Sequence, residues 1–129
     1  MTTVRIALAN LRYPHTPEDS VARVQRAIAQ AGAERAELVC FPECYVPGCR
    51  GLGHAPPASD PGFLESAWTS IGAAAAKAGV VVILGTERVV DGGVLATVLV
   101  IDRDGRRLGF QDKVQIDPSE EGTYLPATT

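Results

Sequence analysis

The chain has 129 residues, enough for one domain with a real core, and 46% hydrophobic with 21% charged residues is an ordinary soluble globular balance. A net charge of −3, with Lys and Arg forming no stripe, argues against nucleic acid and anionic membranes as partners. No basic segment followed by an apolar one opens the chain, and its longest apolar stretch, 79–85, is far too short to span a bilayer, so the cytoplasm is the default location.

In chain order, Val4, Ile6 and Leu8 alternate with Arg5, Ala7 and Ala9, which predicts a first strand with one more apolar face. Thr16-Pro17-Glu18-Asp19 is a helix start: Thr16 can cap, Pro17 suits the first position, and two acids favour the positive end of the dipole. Val21, Val24, Ile28 and Ala31 recur at helical spacing, and Gly32 is the expected stop. Leu38-Val39-Cys40-Phe41 is a short continuous apolar run, the pattern of a strand buried on both faces.

Pro42 ends that strand, and prolines and glycines then punctuate a long loop to Pro61 and Gly62. A loop of this length in a compact domain is usually functional or disordered. Tyr45 is its aromatic best placed to contact a ligand, with packing as its other reading. Asp60-Pro61 opens a second helix whose apolar side includes Phe63, Leu64, Ala67, Trp68, Ile71 and Ala75, and Gly79 breaks it. Residues 80–84 read as another strand buried on both faces. Turn signals at Asp91-Gly92-Gly93 and Asp102-Arg103-Asp104-Gly105 delimit a β-meander over 86–110. The class is therefore α/β with a mixed sheet, with no internal domain boundary.

Three residues stand out for their chemistry. Glu43 follows the second strand directly, where ligand sites form in α/β sheets. Lys113 lies just beyond the meander, and Glu121 eight residues later. Each taken alone has an ordinary surface reading. The three cysteines, Cys40, Cys44 and Cys49, cannot all pair within one chain, and they lack the C-x2-C spacing of a zinc site, so no metal is expected.

Taken together, the motifs resemble the nitrilase superfamily of carbon–nitrogen hydrolases in order and spacing. Ala36-Glu37-Leu38-Val39-Cys40-Phe41-Pro42-Glu43 is similar to its A-D-L-V-x-F-P-E signature. Leu84-Gly85-Thr86-Glu87-Arg88 resembles its G-x-x-E-R strand, Asp102-Arg103-Asp104-Gly105 its D-x-x-G turn, and Asp112-Lys113-Val114-Gln115 its lysine segment. The resemblance covers essentially the whole chain. It implies one half of an αββα sandwich and a Glu-Lys-Cys triad, with Glu43 as general base, Lys113 as oxyanion stabiliser, and Glu121 as an accessory glutamate orienting Lys113 or substrate. It implies no cofactor, a small-molecule amide substrate (a nitrile or N-carbamoyl compound next), and a homo-oligomeric complete protein.

The family's nucleophilic cysteine lies well beyond the lysine. Residues 1–129 are therefore read as a single incomplete carbon–nitrogen hydrolase domain, ending before that cysteine and inactive alone. Cys44 adjoins Glu43, so in an extended segment their side chains point apart. Cys44 is read as a small packing residue and Cys49 as a pocket-loop residue. The alternative is a non-catalytic binding or scaffold protein of the same fold, in which the three charged residues survive as structural or ligand-binding groups.

Overall fold

A computed structural model describes residues 2–51 and 53–128. One five-stranded sheet runs in the order β1-β2-β3-β4-β5, built from Ile6–Leu8, Leu38–Cys40, Val81–Val90, Gly93–Ile101 and Arg107–Asp112. The first three strands are parallel and the last three antiparallel. Two helices connect the parallel strands, α1 at Pro17–Ala33 and α2 at Pro61–Ala78. The mixed sheet expected from the sequence is thus observed.

Local chemistry explains both helix starts. The Thr16 side chain accepts a hydrogen bond from the Asp19 amide, and Asp60 accepts from Gly62, each with proline at the head of the helix. Gly79 ends α2 in the left-handed conformation, at φ 68°. Gly32 does not end α1, which continues through Ala33. Its small size serves packing instead: a Cβ at Gly32 would lie 2.9 Å from the Cβ of Ala78. The glycine allows the two helices to approach closely at that end.

Both helices cover the same face of the sheet. Val24 and Ile28 of α1 and Leu64, Ile71 and Ala75 of α2 meet Val39, Val82, Leu84, Leu99 and Ile101 in one buried core. Burial of side chains of this size, at about 1.5–3 kcal/mol each, is the main force holding the helices on.

Over β1, β2 and the start of β3 the opposite face has no such cover, although Cys44 and Tyr124 pack on it farther along, at Ala96, and here the structure corrects the sequence reading. Because side chains alternate, the register places Ile6, Leu38 and Val81 in one row and Leu8, Cys40, Ile83 and Val100 in the next. Ile6 and Leu8 are 55% and 79% exposed, and the others are half-buried. In this region the strands are apolar on both sides, yet only one side is packed. Residues 80–84 also do not form a separate strand, since β3 continues without a break from Val81 to Val90.

Candidate active site

Glu43 sits in the turn that follows β2. The Tyr45 amide donates to the Pro42 carbonyl, and Cys44 adopts a positive φ of 49°. That turn sends neighbouring side chains in opposite directions: Glu43 is exposed while Cys44 is buried. β3 passes so close beneath that a Cβ at Gly85 would lie 1.9 Å from the Pro42 carbonyl oxygen. Only glycine permits this approach. Beyond the turn the Val46 amide donates to the Gly85 carbonyl, 3.2 Å away, and the Val46–Pro47 peptide bond is cis.

Lys113 follows β5, and its amide extends the ladder by donating to the Ala96 carbonyl at 2.8 Å. Its ammonium lies between two carboxylates, 2.9 Å from Oε1 of Glu43 and 2.9 Å from Oε2 of Glu120. The hydrogen bond to Glu120, then that to Glu43, raises the Lys113 pKa above the ordinary lysine value, so the group is a fixed cation. An Arg88–Asp112 ion pair braces the strand end just before it.

Glu121 does not join this cluster; Glu120 takes the expected place beside Lys113. The cause is the 3-10 turn at Pro118–Glu120. Asp117 caps the turn, and the Glu120 carboxylate reaches back to the Asp117 amide in a capping box. The same Oε2 accepts from Lys113. Glu121 is the residue that closes the turn, and its side chain is exposed.

Glu43 and Lys113 line a pocket of about 350 Å³ together with Cys40, Ile83, Ala96 and Val98, on the uncovered face of the sheet. One side is thus apolar and the other carries paired charges, the usual character of a small-molecule site. Among the described residues no three His, Cys, Asp or Glu side chains assemble into a metal-ligand set.

Neither Cys44 nor Cys49 is poised as a nucleophile. Burial pushes the Cys44 thiol up to about 12, and its Sγ is 3.6 Å from the Thr86 carbonyl oxygen. Cys49 is half-buried and is also raised, first by burial and then by Glu43 and Glu120. Tyr45 is a packing residue: it is buried in the core and its hydroxyl donates to the Arg12 carbonyl at 2.7 Å.

Sequence reasoning passed over a second cluster next to this site. Glu87, completely buried, accepts from Arg50 through Nε at 2.8 Å and Nη2 at 3.0 Å, and from the hydroxyls of Ser59 and Tyr124. Arg50 also donates to the carbonyls of Pro56 and Pro57, at 2.9 Å each. Tyr124 is raised in pKa, first by burial, so it holds its proton and donates. The cue in the sequence is the motif Leu84-Gly85-Thr86-Glu87-Arg88, which marks Glu87 but not its partners Arg50, Ser59 and Tyr124.

The fold has close counterparts among solved structures. An amidase from Nesterenkonia sp. superposes with a TM-score of 0.80 at 21% identity, covering 98% of this chain and 49% of that one. A carbon-nitrogen hydrolase from Helicobacter pylori G27 gives 0.81 at 18% identity, covering 96% and 44%. A variant of the Nesterenkonia sp. AN1 amidase in complex with butyramide gives 0.77 at 22% identity, covering 98% and 49%. The chain therefore spans about half the length of the structures it matches. No curated protein gives a significant sequence match. No helix among the described residues is long and apolar enough to cross a membrane. Residues 5–128 match the carbon-nitrogen hydrolase family, and with its nitrilase-type sheet and helices the chain belongs to that family.

Proposed function

We propose that this chain supplies the base and the cationic half of a carbon–nitrogen hydrolase site whose nucleophilic cysteine comes from sequence beyond residue 129. The observation that carries the proposal is the Lys113 ammonium held between Glu43 and Glu120 at the edge of a pocket. In this reading residues 1–129 are one incomplete domain, and the uncovered apolar face of the sheet receives the second half of the sandwich.

The steps follow from the groups present. Glu43 takes the proton of the cysteine thiol, and the thiolate attacks the carbonyl carbon of an amide. The electron pair moves to oxygen, and Lys113 stabilises that oxyanion. When the carbon–nitrogen bond breaks, Glu43 returns its proton to the leaving amine. Glu43 then deprotonates a water that attacks the thioester, and the acid leaves as the thiol is restored. Glu120 fixes the direction of the Lys113 side chain throughout.

A small amide is the first choice of substrate, supported by the butyramide held by the Nesterenkonia sp. AN1 amidase variant. A nitrile or N-carbamoyl compound comes next. A cytoplasmic homo-oligomer is the proposed working form of the complete protein. The test compares the complete protein with purified residues 1–129 on a panel of amides, nitriles and N-carbamoyl compounds. Turnover by the complete protein alone, lost on Glu43→Gln, supports the proposal. Turnover by residues 1–129 that disappears on Cys49→Ser or Cys44→Ser overturns it.

A further inference from the structure

The Glu87 cluster has no part in the steps above, yet it joins the two segments that flank the site. One is the loop over 50–59, held by Arg50 and Ser59. The other is the segment after Lys113, held by Tyr124, whose amide in turn donates to the Glu120 carbonyl at 2.9 Å. Between them lies a cavity of about 420 Å³, with Arg50 and Ser59 on one side and Gly122 and Thr123 on the other.

We infer that Glu87 is a positioning residue whose single buried carboxylate fixes two segments at once, the loop carrying Arg50 and Ser59 and, through Tyr124, the Glu120 segment beside Lys113. The inference rests on the proposed function for its kinetic consequences and on geometry alone for its structural ones. A carboxylate has about four lone-pair sites, enough to accept from all three partners at once. A buried carboxylate must be paired, so each partner is held in place by the cost of leaving Glu87 unsatisfied. The two arms act on different quantities. The Arg50 and Ser59 arm shapes the second cavity, which shares no lining residue with the Glu43 pocket and is assigned to the part of the substrate remote from the scissile bond. The Tyr124 arm holds the backbone that aims Glu120 at Lys113, and so the direction of the ammonium toward the developing oxyanion.

The experiment uses the complete protein with Ser59→Ala, Tyr124→Phe and Glu87→Gln, read by steady-state kinetics and by hydrogen exchange resolved to segments. Tyr124→Phe is expected to lower kcat about tenfold with KM within about twofold, and Ser59→Ala to raise KM about fivefold with kcat within about twofold. Exchange quickens over 116–125 alone in the first variant and over 50–59 alone in the second; Glu87→Gln does both. The first two variants remove one hydroxyl each, so the test stands even where Glu87→Gln fails to fold. If Tyr124→Phe and Ser59→Ala change the same kinetic parameter, or leave both exchange maps at the parental pattern, the inference is overturned. Lys113→Ala is run in parallel: retention of its turnover refutes the proposed function, and the exchange maps then decide the role of Glu87 by themselves.

Discussion

The Nζ of Lys113 lies 2.9 Å from Oε1 of Glu43, a residue 70 positions earlier in the chain. The contact depends on two backbone features, the turn after β2 that directs Glu43 outward and the antiparallel return of β4 and β5 that ends at Lys113. An ion pair this exposed on the Glu43 side adds little stability. Its value lies in the geometry presented to a ligand.

Activity of the complete protein should respond unequally to changes at Glu43, Lys113, Glu120 and Glu121. Glu43→Gln is expected to cost about 10² to 10⁴-fold as a lost general base, and Lys113→Ala about 10² to 10³-fold as a lost oxyanion partner. Glu120→Gln should lower kcat, because Lys113 then keeps only one carboxylate. Glu121→Gln should stay within about twofold of the parent, as expected for an exposed side chain away from the cluster. Initial rates on one amide compare all four, and a larger loss at Glu121 than at Glu120 would contradict the geometry.

Gly85→Ala tests the close crossing of β3 under the Glu43 turn. Its Cβ would meet the Pro42 carbonyl oxygen at 1.9 Å, and a backbone oxygen cannot swing aside as a flexible side chain can. The expected loss is about 3 kcal/mol of stability, at the upper end for overpacking. Urea unfolding measures it, and a parental midpoint would show that the turn can shift freely.

Thiol chemistry separates Cys44 from the other two cysteines. With its pKa pushed up to about 12 by burial, Cys44 carries almost no thiolate at pH 8. Brief treatment of the native protein with iodoacetamide should label Cys40 and Cys49 while sparing Cys44, and treatment in denaturant should label all three. Peptide mass mapping reads the outcome; early labelling of Cys44 would mean that its turn opens readily.

Asp112 provides a test by pH. Burial raises its carboxyl, but hydrogen bonds from Arg88 and Thr97 and the charge of Arg88 together add up to more and leave it below the ordinary value of 3.8. The folded pKa is therefore depressed, so this group's contribution to stability is present above about pH 4 and is lost as pH falls through the folded value. Asp112→Asn should be less stable than the parent at pH 7, with the difference shrinking toward pH 3. Urea midpoints at the two pH values check this, and a constant difference would assign the effect to something other than titration.

The sequence carried the fold where the signals were local. The caps at Thr16 and Asp60, the prolines behind them, Gly79 and the two meander turns all act within a few residues, and each stands where its chemistry placed it. Gly32 was misread because its reason lies in the other helix, at Ala78. The central strands were read as buried on both faces because composition reports which sides are apolar and not which sides are covered. The site followed the same division. Glu43 and Lys113 were marked by their places after strands. The choice between Glu120 and Glu121 depended on a capping box of one turn, which spacing from Lys113 does not determine. Arg50 and Tyr124 lie 37 positions on either side of Glu87, and no local pattern links them.

Arg50 secures its loop through the carbonyl oxygens of Pro56 and Pro57, groups that every amino acid possesses. Over 55–58 the path of the loop is therefore largely uncoupled from the identities of the side chains it displays. Randomising residues 55–58 while keeping Arg50, Gly53, His54, Ser59 and Glu87 should give a library in which most members retain the parental backbone course. Such a segment can be rewritten to suit new substrates without first being rebuilt, which makes it the natural place to begin diversifying this protein.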